Sequence, residues 1–141
     1  MKISTKGRYA LRLMLDLAEY QKDGYVSLKD VAERQGISKK YLEQIVLLLN
    51  KNKILKTNRG FQGGYMLAKS PDQYVVGDVL RITEGELLTM HCPDSGAIKC
   101  EKNDAKCKAY KVWIGLSKNI CDYLDNITLQ DVIDENVLPK K

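Results

Sequence analysis

The chain has 141 residues, 44% of them hydrophobic and 29% charged, the balance of one globular unit with a real core rather than of a disordered or fibrous polymer. No stretch approaches the roughly 18 consecutive apolar residues of a membrane span, and Arg8 and Arg12 interrupt the apolar run near the start, so no signal peptide is expected and the cytoplasm is. Charge is unevenly divided, with 14 Lys+Arg against 6 Asp+Glu over residues 1–70 and 9 against 12 over residues 71–141, and the basic half suits a polyanion whose counterions are released on binding.

Ser4 and Thr5 offer N-caps, and Ala10, Leu11, Met14, Leu17 and Ala18 recur at helical spacing, which predicts a first helix ending near Gln21. Lys22-Asp23-Gly24 signals a turn. Ser27 caps a short second helix carrying Leu28, Val31 and Ala32, with Asp30 completing part of a capping box. Gly36 breaks that helix, Ile37 packs, and Ser38 caps a third helix from Lys39 to about Lys51, with Leu42, Ile45, Val46 and Leu49 turned inward. Ile54-Leu55 and Tyr65-Met66-Leu67 read as strands flanking a Gly-rich run, hence a β-hairpin. After a turn at Pro71-Asp72, residues 75–84 are expected to form a short helix starting near Gly77-Asp78. Residues 86–106 lack periodicity, and a loop of about twenty residues is usually functional. From about Cys107 a long helix resumes, lined by Ala109, Val112, Trp113, Leu116, Ile120, Tyr123 and Leu124 and ending at Asn126. Thr128 caps a last helix, Leu129 to Ile133.

The predicted fold class is mainly α with a small β-hairpin wing. The segment from Val31 to Ile45 suits a helix-turn-helix, because Ala32 allows close approach, Gly36 permits the turn, and Leu42 and Ile45 seal the second helix. Lys39, Lys40, Glu43, Gln44 and Leu47 then face outward, with residues 40, 43, 44 and 47 on one face. Gln pairs with adenine and Glu accepts from cytosine N4, while lysines suit phosphates. A solvated polar face would leave the same row. Arg59 beside Gly60 sits near the hairpin tip, where a wing enters a minor groove and senses its width.

Cys92, Cys100 and Cys107 fall within sixteen residues at C-x7-C-x6-C spacing, without a C-x2-C pair. In a reducing compartment such a group suits a metal or redox centre better than disulfides. On spacing alone, an iron–sulfur cluster, structural zinc, a redox thiol pair and unrelated free thiols all stay open. Cys121 lies about 21 Å beyond Cys107 along a helix at 1.5 Å per residue and is expected to pack rather than ligate. We find no nucleophile–base pair, no phosphate-cradling glycine loop and no paired carboxylates in an acid/base arrangement, so an enzyme is not expected.

The run Met1-Lys2-Ile3-Ser4-Thr5-Lys6-Gly7-Arg8-Tyr9-Ala10-Leu11-Arg12 resembles the start of the Rrf-two-type transcription regulators. So do Tyr41-Leu42-Glu43-Gln44-Ile45 and Arg59-Gly60-x2-Gly63-Gly64-Tyr65-x-Leu67. The resemblance spans nearly the whole chain. It implies a homodimeric winged helix-turn-helix regulator that binds a partly palindromic double-stranded DNA operator, as a repressor or an activator. Long C-terminal helices cross between subunits. Glu43 and Gln44 carry over as base-reading candidates and Arg59 as the minor-groove residue, and Lys39, Lys40, Tyr41 and Gly60 complete the expected DNA-binding set.

The IscR-like subgroup places three cysteines between wing domain and long helix, which implies that Cys92, Cys100 and Cys107 hold an iron–sulfur cluster, 2Fe-2S before 4Fe-4S. Members resembling the cysteine-metabolism regulators lack this triad. Two departures leave the fourth ligand open. The cysteine gaps are longer than in the best-known members, and Tyr110 stands where a ligand histidine would, with Arg8 where other members carry an acidic ligand. His91, Asp94, Glu101 and Asp104 are the candidates, besides an exogenous small thiol or water. The expected organisation is a DNA-binding domain over residues 1–85, a sensor loop over 86–106, and a dimerisation helix with a terminal helix over 107–137. The expected function is control of iron–sulfur biogenesis or iron and sulfur metabolism genes. Alternatives are the same fold sensing nitric oxide, thiol oxidation or a sulfur metabolite, a zinc-stabilised DNA-binding module, or a small iron–sulfur redox protein.

Overall fold

A computed structural model of the chain describes residues 2–87 and 108–138. Its described elements are α1 (Thr5–Tyr20), α2 (Leu28–Gln35), α3 (Lys39–Lys51), β1 (Leu55–Asn58), β2 (Gly64–Leu67), α4 (Val76–Glu84), α5 (Tyr110–Asp125) and α6 (Leu129–Ile133). The mainly helical architecture with one hairpin is the expected one.

Local chemistry sets most of the helix starts. The Ser4 hydroxyl accepts from Gly7 N–H at 3.1 Å, Ser27 from Asp30 N–H at 3.1 Å and Ser38 from Tyr41 N–H at 3.2 Å. Each such cap satisfies a donor that the helix leaves unpaired, worth about 1 kcal/mol. At α6 both halves of a capping box form, with Thr128 Oγ1 accepting from Asp131 N–H at 3.0 Å and the Asp131 carboxylate accepting from Thr128 N–H at 2.8 Å. The Thr128 hydroxyl also donates to that carboxylate at 2.7 Å, and this bond first, the Thr128 N–H second, holds the Asp131 carboxyl below its usual range.

Helix α1 is the axis of the core. Ala10, Leu13, Met14 and Leu17 are fully buried along it, against Val31 of α2, Leu42, Ile45 and Leu49 of α3, Val79 of α4 and Leu129 of α6. A smaller cluster of Val76, Leu80 and Leu87 takes in Leu11, Cys121, Leu124 and Ile127. Cys121 is half-buried there, with its sulfur 4.0 Å from Leu87 O, and packs as expected.

Two boundaries differ slightly from expectation. Helix α4 starts at Val76, just before the Gly77-Asp78 pair. Val75 bridges Thr128 in antiparallel fashion and Val76 N–H donates to Ile127 O at 2.8 Å, so the fixed point is the chain before α6. The long helix is described from Tyr110, with Lys108 and Ala109 in a turn before it, rather than from about Cys107.

Helix α5 is attached differently from the rest. None of its residues is buried. Its C-terminal end is clamped to α4, where Arg81 donates twice to the Asp125 carboxylate at 2.6 and 2.8 Å. That pairing keeps Arg81 more firmly protonated and holds Asp125 below its usual carboxylate value. Its other end exposes Val112, Trp113, Ile114 and Leu116 to solvent. No described helix is long and apolar enough to cross a membrane.

Candidate nucleic-acid interface

The reading helix is placed by the turn before it. Gly36 ends α2 in the left-handed conformation at φ 62°, where a side chain costs roughly 1 kcal/mol or more. Ile37 then plugs the core and donates its N–H to Ala32 O at 3.2 Å. Ser38 caps α3, and the inward stripe of Leu42, Ile45, Val46 and Leu49 locks its rotation. Lys39, Lys40, Glu43 and Gln44 are therefore exposed together, with Leu47 70% exposed one turn beyond Glu43. Tyr41 is only half exposed. Its ring meets Tyr9 edge-on at 5.6 Å and 84°, and the Arg12 guanidinium lies 5.5 Å from the Tyr9 ring. This places Tyr41 beside the reading row, braced by α1.

The wing stands across from that row. Its strands pair antiparallel, Leu55 with Leu67 and Asn58 with Gly64 at the ends of the register. Gly60 O accepts from Gly63 N–H at 3.0 Å to close the tip, which leaves Arg59, Gly60, Phe61 and Gln62 exposed. Along the outer edge of β2 the hairpin is pinned to the helix-turn-helix. Tyr65 and Val26 exchange backbone bonds of 2.8 and 2.9 Å just before α2. Gly64 makes that approach possible, since a Cβ there would fall 2.3 Å from Val26 O. Tyr74 latches the other side by donating its hydroxyl to Ile54 O at 3.0 Å and accepting from Lys69 N–H at 2.9 Å, and burial raises its pKa.

Between α3 and the wing runs a groove of about 730 Å³. Lys29, Lys39 and Arg59 line it beside one acid, Glu43, and with Leu47, Asn50, Thr57, Asn58 and Gly60. The groove thus brings three cations and one carboxylate together between α3 and the wing. Of the sequence-derived residues, Lys39, Glu43, Arg59 and Gly60 thus meet in one groove, Lys40 and Gln44 extend the same helix face, and Tyr41 lies at its edge.

A buried carboxylate that the sequence did not flag holds this unit to α1. Asp16 is fully enclosed, accepting from Arg34 Nε at 3.0 Å and Nη2 at 2.6 Å and from Gln35 Nε2 at 2.9 Å. The Arg34 guanidinium also stacks 3.9 Å from the Tyr20 ring, and the Asp16 hydrogen bonds raise its pKa. Arg12 donates to the Gln35 side chain at 3.1 Å and to its carbonyl. The C-terminal end of α2 is thereby fixed just before the turn into α3. The available signal was an Asp inside the apolar stripe of α1.

Cys92, Cys100, Cys107 and His91, with Asp94, Glu101 and Asp104, lie outside the described residues. Among the described residues no three His, Cys, Asp or Glu are grouped to hold a metal ion. Tyr110 begins α5, and Arg8 is exposed with Nη2 3.1 Å from Thr5 Oγ1.

Residues 3–135 match the family model described as "Rrf2: Iron-dependent Transcriptional regulator". The HTH-type transcriptional regulator IscR of Pectobacterium carotovorum subsp. carotovorum (strain PC1) is 40% identical over 134 residues, covering 95% of this chain and 80% of that protein. Two solved structures share the fold over nearly the whole length. CymR (YrzC), the global cysteine regulator of B. subtilis, superposes with a TM-score of 0.81 at 35% identity, over 96% of this chain and 98% of that one. T. potens IscR superposes at 0.74 with 38% identity, over 100% of this chain and 94% of that one. The backbone alone does not separate the two kinds of relative.

Proposed function

The chain belongs to the Rrf2 family of transcriptional regulators, and from that premise we propose that it is a homodimer that reads a partly palindromic DNA operator and changes its preference with an iron–sulfur cluster. The observation that carries the DNA-reading half is the basic groove between the exposed row of α3 and the wing. Glu43 and Gln44 read base edges in the major groove, Lys39 and Lys40 hold phosphates, and Tyr41 is steadied at the edge by Tyr9. Arg59 and Gly60 follow the adjacent minor groove. The organisation is a reading domain over residues 1–85, a sensor loop over 86–106 and a dimerisation region over 107–137.

The dimer rests on α5. Val112 is 61% exposed and Tyr123 53%, with Trp113 and Leu116 also exposed on that side of the helix, an apolar face that a soluble monomer rarely leaves open. A second α5 crossing this face would bury it and set two recognition helices on successive turns of the operator, about 34–36 Å apart.

The cysteines fit an iron–sulfur cluster in donor chemistry, being three thiols with acidic and imidazole donors close in sequence. Cys92, Cys100 and Cys107 would hold it, in a 2Fe-2S form, with the fourth ligand among His91, Asp94, Glu101, Asp104 or an exogenous group. When bound it supplies a redox- and iron-sensitive crosslink between these thiolates. Arg8 is a cation and does not serve as the acidic ligand. The chain entering the cysteine segment leaves from Leu87, buried against α5 through Cys121, and returns at the start of α5. Rearrangement of that segment therefore acts on the same helix that sets the spacing of the two reading heads. The IscR name of the relatives supports this reading, and genes of iron–sulfur biogenesis or iron and sulfur metabolism are the expected targets. No catalytic step is assigned to the chain.

The test is anaerobic purification with a visible spectrum and iron, sulfide and zinc analysis, for wild type and for Cys92→Ala, Cys100→Ala and Cys107→Ala. Matched iron and sulfide, lost in each variant, together with a different operator preference of holo and apo protein, is the expected result. A colourless protein without iron after reconstitution, or identical preference in both states, overturns the sensing half.

A further inference from the structure

The lysines, Glu43 and Gln44 account for the polar members of the α3 row, and one member is left over. Leu47 is 70% exposed, and α3 already turns Leu42, Ile45, Val46 and Leu49 into the core, so Leu47 is not needed for packing. A single exposed leucine is ordinary on a protein surface. This one lines the groove between α3 and the wing, one turn after Glu43 and opposite Arg59. Lys29, Lys39 and Arg59 give that groove the charge of a duplex-binding surface rather than of a seat for an apolar partner.

Base edges in the major groove present one apolar feature, the 5-methyl group of thymine, which aliphatic side chains contact. We propose that Leu47 is a specificity residue that packs against a thymine methyl next to the pair read by Glu43. The spacing agrees. Four residues advance about 6 Å along a helix, and base pairs are stacked about 3.4 Å apart, so the thymine lies one or two steps from that pair. The inference rests on the DNA-reading function above and deepens it: the operator half-site carries a pyrimidine step whose exocyclic amine meets Glu43 and whose methyl meets Leu47.

The probe is a duplex selected by the wild-type full chain from a randomised library, with the selection repeated for Leu47→Ala. Each thymine of the wild-type duplex is then replaced singly by deoxyuridine, which removes only the methyl. Wild type is expected to select one thymine per half-site and to lose about fourfold in affinity when that base becomes uracil, the effect of exposing one apolar carbon. Leu47→Ala is expected to keep its thermal melting curve, bind the thymine and uracil duplexes equally, and select a relaxed base at that position alone. Indifference of wild type to uracil at every position overturns the proposal. So does a Leu47→Ala protein that still prefers thymine, or one that weakens on all duplexes alike. A wild-type protein that selects no sequence overturns the DNA reading itself, which separates the two failures.

Discussion

Helices α1 and α5 have the same length of 16 residues and solve opposite problems. Helix α1 buries six of its residues and is gripped by four other helices, so the fold around it is complete within one chain. Helix α5 buries none, is clamped at one end by Arg81 and Asp125, and leaves a row of large apolar side chains bare. The difference separates what a single copy specifies from what needs a second copy. The reading head belongs to the first kind. In the proposed dimer, the spacing between two reading heads belongs to the second.

The largest expected effect comes from breaking α5. Leu116→Glu or Trp113→Glu places a charge in the proposed seam of both subunits, and losing an interface anchor costs about 2–4 kcal/mol, roughly 30- to 1,000-fold in dimer dissociation. Sedimentation would show monomers whose melting curve for the α1-centred core is retained. A variant that stays dimeric would move the interface elsewhere.

Next come two changes inside the self-contained region. Gly64→Ala drives a methyl to 2.3 Å from Val26 O and should cost about 2–3 kcal/mol in urea titrations, because backbone has to shift. Asp16→Ala removes the acceptor of three hydrogen bonds from Arg34 and Gln35 and should cost about 2 kcal/mol. Both should act on a monomeric Leu116→Glu background as strongly as on wild type. Loss of that independence would mean that the two regions are coupled in folding.

Changes on the reading face should leave stability alone. Glu43→Ala or Gln44→Ala should cost about 1–3 kcal/mol of discrimination at one base position. Lys39→Ala or Lys40→Ala should weaken all duplexes alike and reduce the salt slope by about 1.

The smallest effect is acid sensitivity at the α5–α6 junction. Asp125 and Asp131 both titrate below their ordinary value of 3.8 in the folded protein, through Arg81 and Thr128 respectively. Their contribution is present above that value and is lost as pH falls through the lower folded values. The Arg81 and Asp125 side chains are 36% and 41% exposed, so water screens the pair and the loss should be modest. A melting temperature that falls below about pH 4 in wild type and less steeply in Asp125→Asn is the expected outcome.

How much was legible follows the same division. Caps at Ser27, Ser38 and Thr128 and the break at Gly36 are local chemistry, and the sequence carries them directly. The outward row on α3 follows from helical spacing once its apolar stripe is recognised. Contacts between distant residues were not legible. The Val75–Thr128 bridge moved the start of α4, and the partner of Asp16 lies 18 residues away on another helix. The stripe over residues 112–124 was legible as a pattern, but an intrachain core would leave the same pattern. Only its exposure in the folded chain points outward to a second copy.

The most direct test of the account is fluorescence anisotropy of the full chain on its selected duplex and on a scrambled one, across a salt series, with Glu43→Ala/Gln44→Ala and Arg59→Ala beside wild type. The account predicts that wild type prefers the selected duplex by about 1,000-fold or more. It also predicts that the double variant keeps the salt-dependent binding and loses most of the preference, and that Arg59→Ala weakens binding to duplexes with a narrow minor groove. Equal binding of both duplexes by wild type, or a double variant as selective as wild type, would contradict it.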